Sequence, residues 1–148
     1  MTTAKSYLVR PIGLIRSELK RRGDASRQGS EGAPDAWLEV RPRFVEGLQG
    51  IAAGQQVIII AWLHEADRKT LKVHPRGDLS APLSGVFATR SPDRPNPLGL
   101  HRVTVREVIG NRLRIGPIEA IDGTPVADAT LGPGRIRRRE FHQPRPLL

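Results

Sequence analysis

The sequence predicts an all-β fold, mainly antiparallel, in the form of a small single-domain β-barrel with short helical turns and long irregular loops. Strand-like segments follow one another across short turns without crossover helices, which favours an antiparallel barrel over a doubly wound sheet. No segment keeps a helical period of three to four residues beyond about two turns. Glycine and proline, at 15 and 13 of 148 residues, leave little room for long helices, so a helix bundle is excluded.

The first three strands are predicted from their apolar patterns. Tyr7–Arg16 is apolar or β-branched in pieces, and Trp37–Val40 alternates with a period of two residues, so both are typical of half-buried strands. Gln56–Leu63 is apolar without alternation, as expected of a strand that is covered on both faces. We therefore place Gln56–Leu63 at the centre of the core.

Two further strands are predicted as a hairpin. Leu100–Val108 alternates, with Val103 and Val105 on one face and polar residues on the other. Arg112–Ile115 repeats the pattern, and Gly110–Asn111 between them is typical of a tight turn.

The remaining predicted elements are short. Ile118–Ile121 is predicted as a strand that ends at the turn Asp122–Gly123. The best helical candidate has Phe44, Leu48 and Ile51 on one face over about two turns.

The chain is predicted to form one barrel domain over residues 1–131, followed by a basic tail over 132–148. Irregular loops are expected at 20–34, 67–84 and 91–97, and loops of this length in a small domain are often functional. The arginines of the tail are Arg135, Arg137, Arg138, Arg139 and Arg145.

Composition narrows the class of protein. Lysine and arginine number 24 against 15 aspartates and glutamates, a net charge of +9, so anionic partners are expected. The absence of cysteine excludes disulfides, thiolate zinc sites and cysteine nucleophiles, and it fits a reducing compartment. No apolar run reaches the length of a membrane span, and the first residues lack the apolar core of a signal peptide. A soluble, cytoplasmic protein without membrane partners is predicted.

The densest chemical signal is Gly85–Leu100, with the sequence GVFATRSPDRPNPLGL. Each of its prolines fixes φ and lacks an N–H, and the preceding residues Ser91, Arg94 and Asn96 are held extended. Together with Arg90, this arrangement preorganises two guanidiniums and an amide, which lowers the entropy cost of gripping a ligand. The alternative is a proline-rich connection whose arginines are solvated.

This segment, with Ile12–Ser17 upstream and Asp122–Val126 downstream, resembles the TrmO/TsaA-like family of tRNA methyltransferases over roughly residues 10 to 128. The resemblance implies a β-barrel that binds S-adenosylmethionine without a Rossmann domain, as a homodimer with the cofactor close to the interface. It also implies N6-methylation of threonylcarbamoyladenosine beside the anticodon of a tRNA. The positions that match the family's cofactor-site motifs are Arg27, Gln28, His64, Glu65, Arg90, Leu100, Asp122, Gly123, Thr124 and Pro125.

The residues themselves are compatible with such a cofactor. No G-x-G-x-x-G follows a strand, so an adenosyl cofactor needs a cradle other than a Rossmann turn. Arg90 or Arg27 suits its carboxylate, Asp122 suits its ammonium or a ribose hydroxyl, and Leu100 suits one face of the adenine. The alternative for Asp122 is a hairpin turn and nothing more.

Methyl transfer from a sulfonium is an in-line displacement, which chiefly demands positioning. His64 is the candidate general base because an imidazole can take the proton of the acceptor nitrogen. The alternative is a histidine that caps the core through one hydrogen bond. The other histidines are His74, His101 and His142. They lack the paired spacing of a zinc site, so no metal is predicted.

Arginines are the candidate RNA contacts, since each neutralised phosphate releases counterions. The candidates outside the tail are Arg102, Arg106, Arg112 and Arg114. The alternative is a solvated basic strand face. Only six residues are aromatic, namely three Phe, two Trp and one Tyr, which favours recognition by shape and charge over base stacking.

Two other functions stay open. Asp128–Pro133 departs from the family's usual continuation after the Asp-Gly-Thr-Pro turn. That departure and the basic tail are compatible with a nucleic-acid-binding or regulatory module that has lost catalysis. A sensor that holds S-adenosylmethionine and transfers nothing is the third possibility.

Overall fold

A computed structural model describes residues 4–21 and 33–133. The strands are β1 (Gly13–Arg16), β2 (Ala36–Val40), β3 (Gln56–Trp62), β4 (Lys72–Val73), β5 (Ser84–Gly85), β6 (Leu98–Ile109), β7 (Arg112–Gly116) and β8 (Pro125–Leu131). Short 3₁₀ helices span Pro42–Leu48, Pro75–Gly77 and Val86–Ala88. Six strands close an antiparallel barrel in the order β1-β2-β7-β6-β3-β8, and β4 pairs with β5 outside it. The predicted all-β barrel is therefore confirmed.

The barrel interior is filled by alternate residues of every wall strand. On β3, the side chains of Val57, Ile59 and Ala61 are buried, whereas Ile58 and Ile60 are only half-buried. The expectation that this strand is covered on both faces was therefore wrong for its outer face, because β3 is a wall of a single-layered barrel. The other strands contribute the inward-facing residues Ile15, Leu38, Val103, Val105, Leu113, Ile115 and Val126.

Two strand predictions needed correction. Only Gly13–Arg16 of the first predicted strand pairs, while the Tyr7 side chain is 88% exposed; Pro11, which lacks an N–H, separates the two parts. Ile118–Ile121 is irregular, although Ile118 is buried. The backbone N–H of Ile118 donates to Pro34 O at 3.1 Å rather than to a neighbouring strand.

The predicted turns are present. Gly110 and Gly123 have φ of 58° and 84°, in the left-handed region that favours glycine. Asn111 Nδ2 also donates to Val40 O at 2.7 Å and so joins the β6–β7 turn to β2. Asp122–Gly123 leads into β8, as expected.

The two ends of the barrel differ in what covers them. The 3₁₀ helix Pro42–Leu48 lies over one end, where Phe44, Leu48 and Ile51, the predicted helical face, pack against the core. At the other end, β3 finishes opposite the start of β6, with Trp62 opposite Leu98. β8 also begins there, with Ala61 opposite Val126. We call this second end the mouth.

No helix in the described ranges, 4–21 and 33–133, is long and apolar enough to cross a membrane.

Candidate functional site

The Gly85–Leu100 segment is folded around the guanidinium of Arg94. Arg94 Nε donates to Ser91 O at 2.7 Å, and Nη2 donates to Val86 O and Thr89 O, each at 2.7 Å. One planar cation thus reaches three carbonyls of the loop, of which Val86 O also accepts hydrogen bonds from the N–H and Oγ1 of Thr89. Arg94 is held in place, as the prolines predicted, but its N–H groups donate to carbonyls of the loop itself.

A second arginine fastens this loop to the end of β3. Arg68 Nε donates to Pro95 O at 2.8 Å, and its guanidinium lies over the Trp62 ring at 5.0 Å from the centroid. The backbone N–H of Asp67 donates to Asp93 Oδ1 at 2.8 Å. The loop is therefore held both from within and from the mouth of the barrel.

Arg90 differs from both of these arginines. Its side chain is exposed, and the described part of the chain offers it no hydrogen bond or ion pair. It lines three cavities, of about 460, 660 and 940 Å³. A rigid loop thus presents an unpaired guanidinium to open space, which is the arrangement that binding of an anionic group requires.

The cavity of about 460 Å³ at the mouth, hereafter the mouth cavity, collects several of the predicted site residues. Its lining includes His64, Glu65, Arg90 and Thr124. The adjoining cavity of about 660 Å³, the outer cavity, is lined by Leu100 and again by Arg90. Leu100 is 71% exposed, so its side chain is accessible to a ligand. Both volumes lie in the range of small-molecule sites.

The turn Asp122–Pro125 contributes mainly structure. Asp122 Oδ1 accepts a hydrogen bond from the Ser17 N–H at 3.0 Å, and Oδ2 lies 3.3 Å from Lys20 Nζ. The Ser17 N–H, followed by Lys20, lowers the pKa of the Asp122 carboxyl. Of the four residues of this turn, Thr124 lines the mouth cavity. The geometry around Asp122 favours the hairpin-turn alternative, and its role toward a ligand stays a prediction.

Arg27 and Gln28 lie outside the described residues. The described residues on either side of that gap are close to the 117–124 loop, since the Asp122 N–H donates to Leu19 O at 2.6 Å and the Ile118 N–H to Pro34 O at 3.1 Å. The tail arginines and His142 lie outside the described residues as well.

His64 is exposed at the mouth and has no hydrogen bond within the described ranges. The alternative of a core-capping histidine is therefore not what the structure shows. The structure also adds His101 and Glu119 to the mouth cavity. Glu119 was missed because its segment was predicted as a strand. His101 was missed because it was considered only as a metal ligand, although its place on the inward face of β6 was readable from Val103 and Val105.

The net charge of the residues that line the mouth cavity is negative, whereas the net charge of the whole protein is positive. Its described ionisable residues are Glu65, Glu119 and Arg90, besides the two histidines, which leaves a net charge of −1 in a chain of +9. A zwitterionic ligand with one additional positive charge complements this set, because the carboxylates attract its cations and Arg90 its carboxylate. A purely anionic ligand does not.

Most of the predicted RNA-contacting arginines outside the tail are already engaged. Arg106 Nε and Arg114 Nη1 lie 3.5 and 2.8 Å from the Asp35 carboxylate, and Arg112 lies over the Trp37 ring at 4.4 Å. Arg102 is exposed, has no such partner in the described ranges and lines the outer cavity. No three histidine, aspartate or glutamate side chains of the described residues are grouped as a metal site.

Burial lowers the pKa of His101 below its ordinary value of 6.5. The unfolded chain therefore takes up this proton first, and the free energy of unfolding is expected to fall as the pH drops below 6.5. Replacing His101 by leucine removes this contribution. Denaturant unfolding of both proteins between pH 7.5 and 5.5 measures it, and parallel pH profiles would contradict the expectation.

Comparison with known proteins places these features in a family. The model of the tRNA-methyltransferase O N-terminal domain matches residues 14–130. A probable S-adenosyl-L-methionine-binding protein of Pyrococcus horikoshii is 39% identical over 135 residues, covering 88% of this chain and 86% of that protein. One of Methanocaldococcus jannaschii is 47% identical over 95 residues, covering 62% of this chain and 75% of that protein.

Solved structures agree with the family match. A crystal structure of TrmO superposes with a TM-score of 0.69 at 34% identity, and one from Pseudomonas aeruginosa with 0.68 at 32%. Each alignment covers 86% of this chain, which spans only 58% and 56% of those chains. Since the family model covers most of the barrel and the loop around Arg94, the chain belongs to the tRNA-methyltransferase O N-terminal domain family.

Proposed function

We propose that this protein is an S-adenosylmethionine-dependent methyltransferase that methylates N6 of threonylcarbamoyladenosine next to the anticodon of a tRNA. The observation that carries the proposal is the unpaired Arg90 guanidinium, held by a rigid loop at the edge of an acidic mouth cavity. The reaction takes place in the cytoplasm, in a homodimer with the cofactor close to the interface.

The cofactor is S-adenosylmethionine, in agreement with the sequence prediction. Two relatives, aligned over 62 and 88% of this chain, are named probable S-adenosyl-L-methionine-binding proteins. The described residues fit this molecule, which has a sulfonium, an ammonium and a carboxylate and hence one net positive charge. Arg90 would hold the carboxylate through paired hydrogen bonds, and Glu65 and Glu119 suit the ammonium and sulfonium.

The cofactor supplies an activated methyl group, so the protein's own task is to position the acceptor and manage one proton. His64 is accessible in the same cavity as Arg90. Its imidazole is proposed to accept the proton of the acceptor nitrogen as the new N–C bond forms and the methyl–sulfur bond breaks, with a neutral thioether as the leaving group. Leu63 and Ile121 line the cavity with apolar surface, which limits water around the reacting atoms.

A tRNA partner is supported by charge. The chain carries +9, and Arg102 lies beside Arg90 in the outer cavity without an acidic partner among the described residues. Phosphate oxygens of an RNA loop are suitable counterions for the Arg102 guanidinium, since Arg90 is assigned to the cofactor carboxylate. We therefore place the RNA on the outer cavity, next to the cofactor.

The dimer is supported by apolar surface. Large apolar side chains on and beside the β4–β5 hairpin are solvent-exposed, with Leu79 at 81% and Phe87 at 82%. Leu71 and Leu83 are also exposed. Exposed apolar side chains of this size are typical of a protein interface, and a second copy of the chain bound there would lie near Arg90, because Phe87 and Arg90 line the same cavity of about 940 Å³.

The test uses purified protein, S-adenosylmethionine with a labelled methyl group, and tRNA carrying threonylcarbamoyladenosine. Label in an N6-methylated nucleoside, identified by mass spectrometry, is expected, together with a dimer mass in sedimentation. Salt-sensitive RNA binding without methyl transfer would indicate the nucleic-acid-binding alternative. Cofactor binding without RNA binding at low salt would indicate a sensor. No calorimetric heat with millimolar cofactor would overturn the proposal entirely.

A further inference from the structure

His101 is a polar side chain of the mouth cavity for which the proposed mechanism has no use. It lies on β6 directly opposite Ile59 of β3, and Ile59 is fully buried inside the barrel. Side chains of directly opposed residues project to the same face of a sheet. The imidazole therefore points into the barrel from its wall, at the open end where the cavity begins.

The Nε2 atom of His101 is buried and has no hydrogen-bond partner in the described part of the chain. Gly99 makes room for it: a Cβ at Gly99 would lie 3.2 Å from His101 Nε2 and 3.1 and 3.3 Å from the two Cδ atoms of Leu63. The His101 imidazole and the Leu63 side chain thus both pack against the backbone of Gly99, which has no side chain. An unsatisfied buried nitrogen is unfavourable, and leaving one in place calls for an explanation.

The surroundings of the ring indicate which ligand group could satisfy it. His101 lines the mouth cavity together with the apolar residues Leu63, Ala120 and Ile121, and it also borders the outer cavity. Burial lowers the pKa of His101 and keeps the ring neutral at neutral pH. A neutral ring among apolar groups is suited to binding an uncharged polar group of a flat, largely apolar part of a ligand. The charged groups of the ligand are expected to bind Arg90, Glu65 and Glu119 instead. Rotation of the ring about χ2 and a shift of the Leu63 side chain would turn Nε2 toward the cavity.

We propose that His101 is a ligand-binding residue whose Nε2 forms a hydrogen bond with an uncharged polar group of the nucleoside half of the bound S-adenosyl ligand. The inference rests on the proposed function for the identity of the ligand. It assigns the two halves of the ligand to different residues. Arg90 binds the amino-acid half, and His101 binds the nucleoside half.

The test is calorimetric titration of the full chain with S-adenosylhomocysteine and, separately, with 5′-methylthioadenosine, which lacks the amino-acid half. His101→Leu is expected to weaken binding of both ligands about tenfold. The same substitution is expected to raise the melting temperature of the unliganded protein by about 2–4 °C, because it removes a buried unsatisfied nitrogen. Opposite signs of the two effects distinguish a binding role from a structural one.

Two variants and a control complete the design. His101→Gln, whose amide lies near the position of the imidazole Nε2, is expected to bind within about threefold of the unmodified protein. Gly99→Ala, which crowds Nε2 and Leu63, weakens binding while keeping the histidine. His74→Leu is the control, because His74 does not line the mouth cavity and its Nδ1 forms a hydrogen bond with Ala81 O at 2.9 Å. The affinity of this variant for both ligands is expected to be unchanged.

Two results would overturn the inference while the proposed function stands. One is His101→Leu binding both ligands within twofold of the unmodified protein. The other is that His101→Leu lowers both the melting temperature and the affinity, and that His101→Gln lowers them as well. If His101→Leu does not fold, the affinities of His101→Gln and Gly99→Ala decide the matter. Failure of the unmodified protein to bind S-adenosylhomocysteine at all would overturn the proposed function and this inference with it.

Discussion

Replacing Arg94 by alanine is expected to lower the free energy of unfolding by about 3 kcal/mol, since a partly buried hydrogen bond from a charged donor contributes at least about 1.5 kcal/mol, and the Val86 carbonyl keeps other donors while those of Ser91 and Thr89 lose theirs. The substitution removes the guanidinium that donates to the carbonyls of Ser91 and Thr89 and one of the donors to the Val86 carbonyl. Because Arg90 is part of the same loop, the affinity for S-adenosylhomocysteine is expected to fall at least about tenfold. Denaturant unfolding and calorimetry measure the two effects.

Arg94→Lys separates charge from geometry. A lysine keeps the positive charge, but its compact ammonium cannot reproduce a planar fork that reaches three carbonyls. We expect it to lose most of the stability that alanine loses. Arg112→Ala is the matched control, because Arg112 stacks on Trp37 on the barrel exterior. A lysine variant as stable as the unmodified protein would show that the loop does not depend on this fork.

Replacing Arg90 by alanine is expected to lower the affinity for the ligand without lowering the free energy of unfolding, unlike Arg94→Ala, which lowers both. The side chain has no hydrogen bond or ion pair in the described ranges, so the stability of the fold should change little. The affinity for S-adenosylhomocysteine is expected to fall about 30-fold or more, because the ligand carboxylate loses a paired, charge-assisted contact. Binding of 5′-methylthioadenosine, which has no carboxylate, should be unaffected.

The control for Arg90 is again Arg112→Ala, with both ligands measured by the same calorimetric titration. Equal losses for the two ligands would mean that Arg90 does not contact the amino-acid half. An unchanged affinity for S-adenosylhomocysteine would remove Arg90 from the site altogether. Arg94→Ala, by contrast, should weaken both ligands, since it disturbs the loop that borders both cavities.

The wall strands were predictable because alternation reports burial on one face. Val103 and Val105 on β6 and Leu113 and Ile115 on β7 are buried, as their pattern indicated. The motif Gly85–Leu100 was likewise recognisable, because prolines act on their own and the preceding residue's backbone wherever the chain goes. What the motif's arginines bind was not predictable. Arg94 and Arg90 are four residues apart. Arg94 donates hydrogen bonds to its own loop, whereas Arg90 has no hydrogen-bond or ion-pair partner among the described residues.

The sequence by itself determined the strand periodicity, the position of the turns and the stiffness of the arginine-bearing loop, all of which arise from interactions between near neighbours. Only the tertiary structure decided which side chains share the mouth. Glu119 and His101 reach it because β3, β6 and β8 close a barrel, and contacts such as Ser17 N–H to Asp122 Oδ1 join residues 105 positions apart. A local pattern states which face of a strand is buried, whereas the partner across the barrel depends on closure of the whole sheet.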